Sequence, residues 1–226
     1  MGEAVMAEVN GEIPVVVTGD ATSGPAVVVV PSIFGAHDDL VAQMASLSDV
    51  GPAVVLDPFW RIGGGDGPTN TVPYGDAERA IGRLDGFERS RCRDDVAAVA
   101  DWTKDRFGGP LVGVGICFGG PWVLIGAAKG WFDGGAVTWH GSRLETTLDL
   151  LDGLTAPLRL HFGDADPITP PEAIDAVRSH FAAHDDCEIV VHPGANHGFS
   201  HEGAAWDPAA AAAGLASVRE LLTRPR

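Results

Sequence analysis

The sequence predicts an α/β fold, a mostly parallel central sheet with helices on both faces. Short β-branched runs alternate with longer helical patterns along the chain, and several of the runs are continuously apolar, as strands buried on both faces are. A chain of 226 residues with 45% hydrophobic content can also bury a full core.

Taken in order, the predicted strands are PVVVT at 14–18, AVVVVP at 26–31, AVVLD at 53–57, LVGVGI at 111–116, GAVTW at 135–139, LRLHF at 158–162 and EIVVH at 188–192. Between them the patterns at 38–47, 91–107, 119–129, 171–184 and 208–223 read as helices. Pro171 suits a first helical turn, and the alanine-rich last segment has high helix propensity. The glycine-rich IGGGDGPTN at 62–70 and the polar residues after it have weak periodicity, so about 60–90 is expected to be a surface connection over one end of the sheet. No internal repeat or linker stands out, and residues 1–226 are read as one domain.

Asp and Glu number 31 against 15 Lys and Arg, a formal charge of −16. That balance repels phosphate backbones and anionic lipid, which disfavours nucleic-acid and membrane partners and favours a small-molecule substrate. The N-terminus lacks the basic and apolar regions of a leader, and no run reaches the roughly 18 apolar residues of a spanning helix, so a cytoplasmic address is expected. Monomer and homodimer both remain compatible with the acidic surface. Cys92, Cys117 and Cys187 are too few and too irregularly spaced for a disulfide framework, a zinc site or a CxxC pair.

One of these cysteines sits in GVGICFGG, at 113–120, between glycines and directly after an apolar run. In a strand, Gly-x-Cys-x-Gly, helix pattern the central residue takes a strained conformation, and side chains two places either side would collide. Gly115 and Gly119 remove those side chains. Such a turn lifts the Cys117 sulfur above the sheet and toward a helix N-terminus, whose positive end favours thiolate. The competing reading is a small buried core residue.

A thiol nucleophile needs a base, and the base an orienting acid. LRLHFGDADPITP ends a strand with carboxylates at Asp164 and Asp166, and EIVVHPGANHGFS ends the next with His197 on a Gly-rich loop. The chain order nucleophile, acid, histidine is that of the α/β-hydrolase plan, with each group at the carboxyl end of a strand. His180 and His184 fit a solvated helix face, while His161 and His192 fit strand ends. His37 and His140 each follow a strand at the ligand-binding end and are candidates to line a pocket. His37, Asp38 and Asp39 have no supporting ligand pattern, so no metal site is expected. Trp122 is expected to pack against the sheet.

With PSIFG at 31–35, DDVAAVADW at 94–102, GICFGG, GDADPITP and ANHGF, the chain resembles the dienelactone hydrolase family of α/β-hydrolases over most of its length. The resemblance implies Cys117 as nucleophile, Asp166 as acid and His197 as base, with Asp164 the competing acid. It also implies an oxyanion hole from the backbone amides of Phe118 and Ile33, and no cofactor.

Two departures bear on the substrate. The family's glutamate before the IFG segment, thought to keep the resting thiol neutral, is Ser32 here, so Cys117 is expected to be more readily ionised by His197. The family's arginine four residues after the histidine, which holds a substrate carboxylate, is His201. Arg79, Arg83, Arg89, Arg91 and Arg93 crowd the segment before the 91–107 helix; Arg83 is the candidate for a second substrate cation, and most of the others are expected to be solvated. The expected activity is hydrolysis of carboxylic esters or lactones through a thioester acyl-enzyme. The alternatives are an acyltransferase or redox-responsive thiol protein, or a non-catalytic ligand-binding homologue.

Overall fold

The computed structural model describes residues 4–225. Its centre is one eight-stranded sheet in the order β1-β2-β4-β3-β5-β6-β7-β8, formed by Val5–Val9, Ile13–Thr18, Gly24–Val30, Ala53–Leu56, Gly108–Ile116, Gly135–Trp139, Leu158–Gly163 and Cys187–His192 numbered along the chain. β1 and β2 run antiparallel to their neighbours, and β4, β3, β5, β6, β7 and β8 are parallel. The central strands are apolar throughout because both of their faces are covered: Val27, Val28, Val29 and Val30 are all fully buried.

Successive side chains point to opposite faces, so each strand feeds two cores. Val28, Val30, Val54, Leu56, Leu158, Leu160 and Phe162 pack with α3 (Arg89–Phe107), α4 (Gly120–Ala128) and α5 (Pro171–His180). Val27, Val29, Val55, Val112, Val114, Val137 and Trp139 pack with α1 (Asp38–Ala45) and α6 (Pro208–Thr223). Local chemistry sets the helix ends. The Asp207 carboxylate accepts from the Ala209 and Ala210 amides at 3.0 Å and Pro208 occupies the first turn of α6, while α3 stops where Gly108 takes φ 71° and turns into β5.

Two elements differ from expectation. The edge strand β1 shows no apolar run because most of it faces solvent. The connection over residues 60–90 contains α2 (Ala77–Gly82), capped by the Asp76 carboxylate, and a 3-10 turn at Arg83–Gly86; it buries Val72, Ala80 and Arg83. Among the described residues no helix is long and apolar enough to cross a membrane.

The topology has one consequence for chemistry. Because β3, β5, β6, β7 and β8 are adjacent and parallel, the loops after them emerge side by side on one edge of the sheet.

Candidate active site

Those five loops carry Ser32 to His37, Cys117, His140, Asp166 and His197. Cys117 begins a 3-10 turn, Cys117–Gly119, that runs directly into α4, and its φ of 52° is the left-handed conformation a side chain rarely adopts. The flanking glycines make the turn feasible. A Cβ on Gly115 would lie 2.6 Å from Val123 Cγ2, and one on Gly119 would collide with the Val30 carbonyl. The Cys117 sulfur is thereby left partly exposed at the start of a helix.

The three side chains lie in one line. His197 Nε2 is 3.0 Å from Cys117 Sγ, and His197 Nδ1–H donates to Asp166 Oδ2 at 2.7 Å. Asp166 is held in turn, its Oδ1 accepting from the amides of Ile168 at 2.7 Å and Thr169 at 3.2 Å, with its side chain fully buried. Asp164 takes another place: exposed, it accepts from the Gly194 amide and joins the loops after β7 and β8. Burial opposes charge on His197, but the hydrogen bonds and negative charges of Asp166 and Cys117 outweigh it and push its pKa up to about 10.

The amide of Phe118 lies in the first turn of a helical segment, where amides have no partner within the helix. The Ile33 amide makes no backbone hydrogen bond among the described residues. The Ile33 loop is pinned: Ser32 Oγ accepts from the Phe34 amide at 3.3 Å, and Arg83 Nη2 donates to the Ile33 carbonyl. Ser142 Oγ is 3.9 Å from Cys117 Sγ, and the Ser142 amide donates to the Cys117 carbonyl at 3.0 Å. A small cavity of about 90 Å³ opens here, lined by Arg89, Phe118, Trp122, Ser142, Arg143 and Thr146 among others. Phe118 and Trp122 continue into an aromatic cluster with Phe59 and Phe87. A larger cavity of about 430 Å³ lies by Gly19 and Phe107 at the opposite end of β5 and contains none of these groups.

None of the remaining candidates lines the cavity beside Cys117. Arg83 is only 4% exposed; its guanidinium covers the Phe59 ring and donates to the Asn70 and Ile33 carbonyls, so it is a brace inside the 60–90 connection and not a solvated or open cation. Ser32 is buried. His37 donates through Nε2 to the Val72 carbonyl at 2.7 Å and stacks on Tyr74, facing a separate acidic cavity with Asp39 and Glu202. His201 also stacks on Tyr74, at a centroid distance of 4.7 Å, and burial pulls its pKa down to about 4, so it carries no charge at neutral pH. His140 is fully buried, its ring edge-on to His197 at 4.8 Å and its Nε2 2.8 Å from Ser200 Oγ; burial holds its pKa well below the usual imidazole range.

Sequence reasoning missed Ser142, Ser200 and the Tyr74 hydroxyl that donates to Asp39 at 2.8 Å. Ser142 and Ser200 are each within three residues of a singled-out histidine, which is the only sequence signal they give. His161 and His192 form a pair of their own, Nδ1 to Nε2 at 3.0 Å. Burial raises the thiol pKa of Cys92, and that of Cys187 to about 11, as expected for packing residues.

The chain has relatives of known family and fold. The chain is 26% identical over 199 residues to carboxymethylenebutenolidase of Pseudomonas putida, 87% of this chain and 84% of that protein. A solved structure from Klebsiella pneumoniae subsp. pneumoniae superposes with a TM-score of 0.81 at 23% identity, covering 100% of both chains. A dienelactone hydrolase-like promiscuous phosphotriesterase from metagenomic libraries gives a TM-score of 0.75 at 21% identity over 99% of this chain and 97% of that one. The architecture is thus the α/β-hydrolase fold. The sequence profile of the dienelactone hydrolase family matches residues 13–224, and the chain belongs to that family.

Proposed function

We propose that the protein hydrolyses carboxylic esters or lactones with Cys117 as nucleophile, His197 as base and acid, and Asp166 as the group that orients His197. Family membership supports the reaction class. The observation that carries the residue roles is the unbroken line from Asp166 Oδ2 to His197 Nδ1 at 2.7 Å and from His197 Nε2 to Cys117 Sγ at 3.0 Å.

The thiol proton passes to His197 Nε2 and the sulfur attacks the acyl carbon. The carbonyl oxygen becomes an oxyanion facing the Phe118 and Ile33 amides, donors fixed in advance by the turn and by the pinned loop. When the intermediate collapses, His197 gives its proton to the leaving alkoxide and a thioester remains on Cys117. His197 then takes a proton from water, the hydroxide attacks the thioester, and the second collapse returns the proton to sulfur. Asp166 holds one tautomer throughout and stabilises the imidazolium. No cofactor is called for in these steps.

The site departs from the family's carboxylate-holding pattern. His201 is neutral and Arg83 is committed to backbone carbonyls, so neither offers a cation to a substrate carboxylate. The reading is therefore small esters and lactones in general, without commitment to a dienelactone.

The test is a panel of aryl esters and small lactones hydrolysed by the wild type and by Cys117→Ala. Turnover that is lost in the variant supports the assignment. Equal activity in both proteins, or inertness of both, overturns it, and a single stoichiometric burst without turnover would point instead to acyl transfer.

A further inference from the structure

His140 has a nitrogen with nothing to do. It sits at the end of β6 with φ 39°, a conformation rare for a side-chain-bearing residue, and is completely buried. Its Nε2 is engaged by Ser200 Oγ at 2.8 Å, while its Nδ1 is buried without a hydrogen-bond partner. Native proteins seldom leave such an atom unpaired unless something binds there.

His197 is arranged in the same way. One nitrogen of each imidazole is fixed by an oxygen, Asp166 Oδ2 for His197 and Ser200 Oγ for His140, and the other is free to act as a ligand. The donor atoms of Cys117, His140 and His197 all lie within 4.8 Å of one another. Histidine metal ligands characteristically have their second nitrogen held by such an oxygen, which sets the tautomer and aims the ring.

We infer that Cys117, His140 and His197 form a three-ligand site for a thiophilic divalent cation of the zinc type, with the fourth position open to water. One sulfur and two imidazole nitrogens suit zinc, cobalt(II) or cadmium, and the absence of carboxylate oxygen from the set disfavours magnesium and calcium. Tetrahedral bonds of about 2.3 Å to sulfur and about 2.0 Å to nitrogen require donor separations of roughly 3.3–3.6 Å. The 3.0 Å sulfur–nitrogen pair must open slightly and the widest separation, at most 4.8 Å, must close by about an ångström. Cys117 and His197 are partly exposed, which gives the ion an entry, and the −16 charge of the chain draws cations toward it.

Binding displaces the proton shared by Cys117 Sγ and His197 Nε2, which leaves to solvent, and both atoms become metal ligands. The metal therefore switches off reversibly the chemistry proposed for these two residues. The site itself does not depend on that chemistry being correct.

Titration of the metal-free, full-length protein with cobalt(II) tests the inference by spectroscopy, independently of turnover. One equivalent should produce sulfur-to-cobalt charge transfer in the near ultraviolet with d–d bands of tetrahedral strength, and zinc should displace it. Cys117→Ser should abolish the charge-transfer band, and Cys187→Ser should leave it intact. Ser200→Ala, which keeps all three ligands, should weaken zinc binding by about 10- to 100-fold, and His140→Phe by at least as much. Where His140→Phe fails to fold by circular dichroism, Ser200→Ala alone decides. If the wild type gives no charge-transfer band, or if the folded variants bind zinc as tightly as the wild type, the site does not exist. With an ester substrate, zinc should inhibit the wild type and a chelator should restore it; an active enzyme that saturates with zinc and is not inhibited also overturns the inference.

Discussion

Arg83 donates one arm of its guanidinium to the carbonyl of Ile33, the residue whose amide is proposed as an oxyanion donor. A second arm donates to the Asn70 carbonyl at 2.8 Å, and the guanidinium plane covers the Phe59 ring at 4.2 Å. One side chain thus ties the 60–90 connection to the loop after β3. Arg83→Met leaves two carbonyls short of a donor, a cost of about 2–4 kcal/mol. It also frees the Ile33 peptide, so kcat should fall more than KM rises. Arg83→Lys cannot reach both carbonyls in a plane and should recover less than half of the loss. Denaturant midpoints and steady-state kinetics of the two variants check this; a Met variant as stable and as active as the wild type would show the brace to be idle.

The pH dependence follows from His197, whose pKa stands near 10 because Asp166 and Cys117 outweigh its burial. A raised imidazole pKa means that the interactions with the charged ring are fully present below the ordinary value of about 6.5 and are lost as pH rises through the raised one. The acylation rate should accordingly hold across neutral pH and decline only on approach to pH 10. Asp166→Asn removes the charge that supports the imidazolium and lets the amide NH2 select the other tautomer, so the alkaline limb should move to lower pH while the rate drops by orders of magnitude. The resting pair is read by iodoacetamide: Cys117 should alkylate readily near neutrality, and negligible alkylation until pH 8 or above contradicts a resting ion pair.

Arg159 on β7 is the other buried cation among the described residues, with its side chain 7% exposed, bonded to Asp186 at 2.9 Å and to Glu220 of α6 at 2.7 Å. The partners hold the pKa of both carboxyl groups down against their partial burial. Because these carboxylates have depressed values, their stabilisation is present above the unfolded-state pKa and lost as pH falls through the folded one. Arg159→Met should cost about 2–3 kcal/mol at pH 7, the lower end for a buried pair since Glu220 is half in water. Urea melts should show that difference shrinking by pH 3; a gap that persists there would assign the loss to packing.

What could be read without coordinates depended on how locally each feature is encoded. Gly135–Trp139 and Pro208–Thr223 match expectation at both ends because a buried strand and a capped alanine-rich helix announce themselves in their own residues. β1, with one face in solvent, and the six-residue α2 do not. Helix α5 ends at His180, short of residue 184, where the backbone turns and His184 Nδ1 accepts from the Asp186 amide. At the site, the glycines around Cys117 and the strand-end positions of Asp166 and His197 mark them for convergence. The burial of Arg83 and His140 is invisible in sequence, because it depends on which loops lie over them and on a φ of 39° at His140. The same holds for the metal-ligand set, whose three members come from three different loops with no spacing rule to connect them.

The turn around Cys117 makes a last prediction, in which two Gly→Ala changes eleven residues apart, one at each end of α4, should differ sharply for different physical reasons. Gly119 has φ −69°, which any residue adopts, but a Cβ there would be driven into the Val30 carbonyl at the end of the central strand β3. Neither the strand nor the helix start can retreat without moving Cys117. Gly119→Ala should therefore cost more than about 3 kcal/mol and abolish ester turnover even where the protein still folds. Gly130, just past the end of α4, has φ 78° and open space around its Cβ position. Gly130→Ala meets only the conformational penalty, about 1–2 kcal/mol, and should leave kcat unchanged. Thermal melts and turnover measured on the pair separate steric exclusion at the nucleophile turn from backbone strain at a helix end; equal losses in both would mean that the Cys117 turn yields more easily than its packing implies.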